Sequence, residues 1–154
     1  MSSRVFLDTN ILVYADDADA GHKREIAREL LLGAFRSEVA ALSTQVLSEF
    51  FVISTRKLGV APAEAQRKVE LLAGLDVVRP GADDVLAAID LHRLHRISYW
   101  DALVVRSAQV AGCQRLLSED LGHGVRYGQV VVENPFRDQS GERSPRSRLP
   151  RRKQ

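Results

Sequence analysis

At 154 residues the chain is long enough to bury one hydrophobic core and short of the length at which chains divide into domains. Apolar residues at 45% and charged residues at 27% exclude a fully disordered chain or a fibre, the single Cys113 excludes a disulfide framework or a cysteine-based zinc site, and no apolar run approaches the roughly 18 residues of a membrane span. The net charge of +2 is unevenly spread: residues 137–154 hold seven Lys/Arg against two Asp/Glu, which leaves residues 1–136 at −3.

In chain order, Val5-Phe6-Leu7 reads as a buried strand running into a turn or helix start at Asp8-Thr9-Asn10. Ile26, Leu30 and Ala34, with Leu31 and Phe35 beside them, mark an amphipathic helix from His22 to about Arg36. Val39 to Leu42 is a brief second strand. Ser43 or Thr44 then caps a helix with Val46, Leu47, Phe50, Phe51 and Ile53 on its apolar face, ended by Gly59. Pro62 opens the next helix, which runs to about Ala73, and Asp76 to Arg79 is a third strand. Helices follow from Asp83 to His95 and from Ser98 to Ala111, and Arg115 to Ser118 and Gln129 to Val132 complete the strands. Short apolar strands alternating with helices imply an α/β fold, a central parallel sheet of about 4–5 strands flanked by helices. The domain is expected over residues 1–136. Residues 137–154, with Pro145, Pro150 and Leu149 as their one apolar residue, are expected to form a disordered basic tail that aids solubility or attracts nucleic acid by counterion release.

Four carboxylates stand out against this background. In open α/β sheets ligands collect beyond the carboxyl ends of the strands; Asp8 directly follows the first strand, and Asp120 lies just past Leu116-Leu117-Ser118. Asp101 falls on the helical line through Val104, Val105, Ala108 and Ala111, an apolar direction that costs a carboxylate its hydration. The spacing of Ser98 to Asp101 also fits a capping box, so a structural role for Asp101 stays open. Glu49 lies on the flank of an apolar helix face. Acids without Cys or His in ligand spacing suit a hard divalent cation, Mg²⁺ or Mn²⁺. His92 and His95 read as part of a solvated basic face. Glycine-rich phosphate loops and the G-x-S-x-G elbow are absent from the sequence.

Asp8-Thr9-Asn10 after the first strand, Ser48-Glu49-Phe50 on a helix, Asp101-Ala102 opening a late helix and Ser118-Glu119-Asp120-Leu121 after the next strand resemble the PIN-domain family. Val132-Glu133-Asn134-Pro135-Phe136 is similar to the closing strand of its bacterial members, and the branch resembled is that of VapC-type toxins. The resemblance implies that Asp8, Glu49, Asp101 and Asp120 are the catalytic, metal-binding acids, and that Asn10 and Ser118 support them. It also implies an Mg²⁺- or Mn²⁺-dependent endoribonuclease, a homodimer, and an antitoxin peptide that fills the active-site groove; the single Cys113 suits the reducing cytoplasm. Arg93, Arg96 and Arg106 are candidate RNA contacts. Trp100 is expected in the core, although with Tyr99 it offers a face to an unpaired base. Glu119 is expected to be an exposed turn residue rather than an accessory ligand.

Three rivals remain open. A haloacid-dehalogenase-like phosphatase would use Asp8 as nucleophile but wants a second Asp where Asn10 stands. A PIN-domain RNA-processing nuclease that is no toxin, or a catalytically silent RNA-binding PIN domain, would share the fold.

Overall fold

Phe6 and Leu7 are both buried although successive strand side chains point to opposite faces, so β1 (Val5–Leu7) has cover on both sides. The same holds for β2 (Ala40–Ser43), all four of whose residues are buried. Strands hidden on two faces belong to a parallel sheet wrapped by helices, which is why they read as continuous apolar runs. The structure, a computed structural model, describes residues 4–37 and 39–137. The proposed tail beyond Arg137 lies outside the described residues.

Six strands are described. With β3 (Asp76–Val78), β4 (Arg115–Leu117), β5 (Arg126–Tyr127) and β6 (Val130–Glu133), the sheet order is β3-β2-β1-β4-β6-β5. Every pairing is parallel except β5 with β6. The five parallel strands match the sequence reading. The sixth, β5, is an addition: two residues are too short for any alternation to register.

The helices are α1 (Thr9–Asp16), α2 (His22–Ser37), α3 (Thr44–Arg56), α4 (Pro62–Leu72), α5 (Ala82–His95) and α6 (Tyr99–Val110). Their starts follow local chemistry. Ser43 Oγ accepts from the Val46 N–H at 3.3 Å to cap α3, Pro62 supplies the first turn of α4, and Ser98 Oγ accepts from the Asp101 N–H at 3.1 Å to cap α6. Phe6, Leu42, Phe50, Val104, Leu116 and Val132 lie in one continuous core, each such side chain worth about 1.5–3 kcal/mol when fully buried. Two residues expected on apolar helix faces, Phe35 and Phe51, are instead exposed.

β1 pairs with β2 on one side and β4 on the other, so the chain winds outward from β1 in both directions. This switch point opens a crevice beyond the carboxyl ends of β1 and β4. Leu7 sits opposite Leu117, which brings Asp8 and Ser118 to the same level at its floor.

Candidate active site

Asp8 continues the β1 ladder, its N–H donating to Leu117 O at 3.1 Å, and then caps α1, its Oδ1 accepting from the Thr9 N–H at 2.7 Å. The side chain is fully buried. Standing at a helix N-terminus, its negative charge faces the positive end of the helix dipole. Ser118, also fully buried, donates its hydroxyl to Asp8 Oδ2 at 2.7 Å and accepts from the Asp120 N–H at 3.1 Å.

Asn10, one residue into α1, bridges the two strand ends. Its Nδ2 lies 3.5 Å from Asp8 Oδ2, 3.5 Å from Ser118 Oγ and 3.2 Å from Asp120 Oδ2. Its Oδ1 accepts from the Glu119 N–H at 3.4 Å. One carboxamide thus ties together two acids from distant parts of the chain, which the parallel pairing of β1 with β4 brings to one sheet edge; Asn10 and Asp120 themselves are separated by 110 positions.

Glu49 reaches the same region from α3. Thr9 Oγ1 donates to its Oε2 at 2.9 Å, and Gln45 Nε2 donates to its Oε1 at 2.8 Å and to Trp100 O at 3.2 Å. Gln45 Oε1 is buried and has no hydrogen-bond partner among the described residues. Asp101 occupies the first turn of α6 and is half-buried, on the helix whose Val104, Val105 and Ala108 are fully buried. The Tyr127 hydroxyl is pushed above its ordinary range, first by burial and then by the negative charge of Asp101.

Two expectations are corrected. Glu119 is not an exposed turn residue: its side chain is 17% exposed, accepts from Tyr14 Oη at 2.5 Å and forms an ion pair with Lys23. Trp100 is not in the core but 57% exposed, because the first turn of α6 lacks the cover that the rest of the helix has. It lines a groove of about 860 Å³ with Gln45, Ser48, Glu49, Val85 and Leu103. Arg93 and Arg96 are exposed at the end of α5, whereas Arg106 Nε donates to Asp84 Oδ1 at 3.0 Å. Asp84 is held below the usual carboxylate range, first by the Gly81 N–H and then by Arg106.

The sequence reading did not single out Thr9, Gln45, Tyr14 or Lys23. Gln45 and Glu49 are spaced i,i+4 on one helix and so were discoverable. Tyr14 and Lys23 meet Glu119 across 105 and 96 positions, a relation no local pattern carries.

The donor set is all oxygen, which is the chemistry of a hard divalent cation. Among the described residues, however, no three Asp, Glu, His or Cys side chains stand close enough together to hold a metal ion. What the geometry provides is an acid pair, Asp8 and Asp120, bridged by Asn10, with Glu49 joined to it through Thr9.

No curated protein matches this sequence. The fold is similar to that of Mycobacterium tuberculosis VapC20, a sarcin–ricin-loop-cleaving toxin, at 22% identity and a TM-score of 0.59, covering 73% of this chain and 86% of that one. It is similar to a chain of a toxin–antitoxin complex from Klebsiella pneumoniae at 21% identity and a TM-score of 0.63, covering 87% and 98%. DNA-bound VapBC from Salmonella typhimurium contains a further chain of this fold, at 19% identity and a TM-score of 0.60, covering 87% and 99%. A PIN domain family model matches residues 5–124, a stretch that holds all four acids with Asn10 and Ser118, and the chain belongs to the PIN domain family.

Proposed function

We propose that the chain is a metal-dependent endoribonuclease that hydrolyses RNA phosphodiester bonds, the toxin of a VapBC-type pair. The observation that carries the reading is the Asn10 bridge: a carboxamide spent on holding Asp8 and Asp120 side by side at a sheet switch point. Two neighbouring carboxylates repel each other, an arrangement that folding alone gives no reason to build.

In this reading Mg²⁺ or Mn²⁺ would sit on the Asp8–Asp120 pair and require Glu49 and Asp101 to close in, since no three acids of the described residues stand within ligand distance; when bound it would supply polarisation of a phosphate oxygen and a water made acidic enough to attack near neutral pH. The unsatisfied Gln45 Oε1 beside Glu49 is a further oxygen in need of a donor or cation. The protein's own groups do the rest. Ser118 and the Thr9 N–H fix both oxygens of Asp8, Asn10 orients Asp120, and Thr9 and Gln45 orient Glu49. Arg93 and Arg96, exposed at the end of α5, draw the phosphate backbone towards the groove.

The antitoxin and homodimer expectations have support of one kind. Val85, Leu86 and Ile89 on α5 and the neighbouring Trp100 are exposed apolar side chains, a surface suited to a protein partner. No described helix is long and apolar enough to cross a membrane.

A second reading, an RNA-binding PIN domain without catalysis, is favoured by one observation, the lack of any three-acid cluster among the described residues. Cleavage of a total-RNA panel with Mg²⁺ or Mn²⁺ separates the two, comparing the intact chain, freed of any copurified antitoxin, with Asp8→Ala and Asp101→Asn. The nuclease reading expects cutting by the parent and none by the variants. RNA binding without cutting by the parent establishes the silent reading instead.

A further inference from the structure

Glu119 makes two sets of contacts that pull on one turn. Its carboxylate accepts from Tyr14 Oη on α1 and pairs with Lys23 on α2. Lys23 Nζ also lies 5.0 Å from the centre of the Tyr14 ring and 5.9 Å from that of Phe136, and these two rings meet edge to face at 5.0 Å. The backbone of Glu119 donates to Asn10 Oδ1, and the next residue, Asp120, accepts from the same carboxamide.

Asp120 is itself exposed, so packing around its side chain does little to place it. Beside the Asn10 carboxamide, its two predecessors in the chain hold the turn that carries it. Ser118 is fully buried at the end of β4, and Glu119 is anchored to two helices by charge-assisted hydrogen bonds, the stronger class. Tyr14 is 6% exposed, so its hydroxyl would lose a buried partner if Glu119 moved.

We infer that Glu119, held by Tyr14 and Lys23, is a positioning residue that fixes the Ser118–Asp120 turn so that Asp120 faces Asn10 and Asp8. The inference rests on the nuclease reading for its catalytic consequence alone. The placement of Asp120 is a separate claim with its own measurement.

The test uses the full chain and the variants Glu119→Gln, Glu119→Ala, Tyr14→Phe and Lys23→Met. Amide hydrogen exchange reads the turn directly. In Glu119→Ala, exchange at the Glu119 and Asp120 amides rises about tenfold or more while Phe6 and Leu116 in the core stay protected. Mn²⁺ affinity, titrated calorimetrically, falls about tenfold, the usual scale for a group that orients a metal ligand. RNA cleavage loses kcat by a similar factor with KM unchanged. Glu119→Gln, which keeps an acceptor for Tyr14 but loses the charge that meets Lys23, falls between parent and Ala, as do Tyr14→Phe and Lys23→Met. Unchanged exchange at Asp120 in Glu119→Ala overturns the inference. So does a lower melting temperature with faster exchange everywhere and no change in Mn²⁺ affinity, which is the mark of a merely structural strut. A parent chain that neither binds Mn²⁺ nor cuts RNA overturns the nuclease reading instead, and the exchange measurement still decides whether Glu119 places Asp120.

Discussion

Ser118 donates its hydroxyl to Asp8 at 2.7 Å, a hydrogen bond between two fully buried side chains 110 positions apart. It exists because β1 and β4 run parallel with Leu7 opposite Leu117, so the residue that follows each strand stands at the same height. The same oxygen accepts from the Asp120 N–H and lies within reach of the Asn10 carboxamide. A hydroxyl has one donor and two acceptor sites, and here all three are engaged.

Replacing that hydroxyl leaves a buried carboxylate short of a donor and a backbone N–H short of an acceptor. Ser118→Ala should therefore cost about 1–3 kcal/mol in urea denaturation. Ser118→Thr, which keeps the hydroxyl, should lose less than half as much. Equal losses in the two variants would mean that volume, not hydrogen bonding, governs the position.

Arg96 is the one described non-glycine residue with positive φ, at +55°, where it ends α5. The left-handed conformation costs an L residue roughly 1 kcal/mol, which glycine avoids. Arg96→Gly should accordingly raise stability by about 1 kcal/mol, measured by urea denaturation, while weakening RNA binding if the exposed guanidinium meets phosphate as proposed. Opposite signs on the two measurements would show that the strain is retained for the charge. Loss of stability would show that the Arg96 side chain packs more than it strains.

Much of this site was legible before any coordinates, for physical reasons that differ by residue. Asp8 and Asp120 were readable because short apolar strands end abruptly at polar residues, and the sheet rule says where such ends gather. Asp101 stood out in the sequence because its helix is otherwise apolar in that direction, and the structure places it half-buried in the first turn of α6. Glu119 was misread because its partners come from α1 and α2, far away in sequence. Trp100 was misread because a large aromatic was assigned to the core by composition, whereas burial depends on what covers the first turn of α6. The strand β5 escaped because its pairing with β6, not its two residues, makes it a strand.

Cys113 is fully buried, and burial pushes its thiol up to about 11, with Arg4 opposing and Asp76 adding to the shift. The folded chain then keeps a proton that the unfolded chain releases above its ordinary value of 9.0. Stability from this group is complete below pH 9 and falls as pH rises towards 11. Urea midpoints compared between pH 8 and pH 10 should fall more for the parent than for Cys113→Ala. A parallel fall in both proteins would assign the alkaline loss to other groups, of which Tyr14, raised first by burial and then by Glu119, is the foremost.

Two helix caps offer a comparison between stability and site geometry. Ser43 caps α3, and its Oγ meets the Val46 N–H, three residues before Glu49; Ser98 caps α6, and its Oγ meets the N–H of Asp101 itself. Each cap, replaced by alanine, should cost about 1 kcal/mol of stability. Their effects on RNA cleavage should differ. Ser98→Ala loosens the first turn of α6, the turn that carries Asp101, and should lower kcat about tenfold, the scale seen when a group orienting a metal ligand is lost. Ser43→Ala frees a turn that Glu49 does not occupy, and Glu49 keeps Thr9 and Gln45 as donors, so kcat should change by less than about threefold. Equal losses of cleavage from the two variants would show that overall stability, rather than the setting of Asp101, limits the reaction.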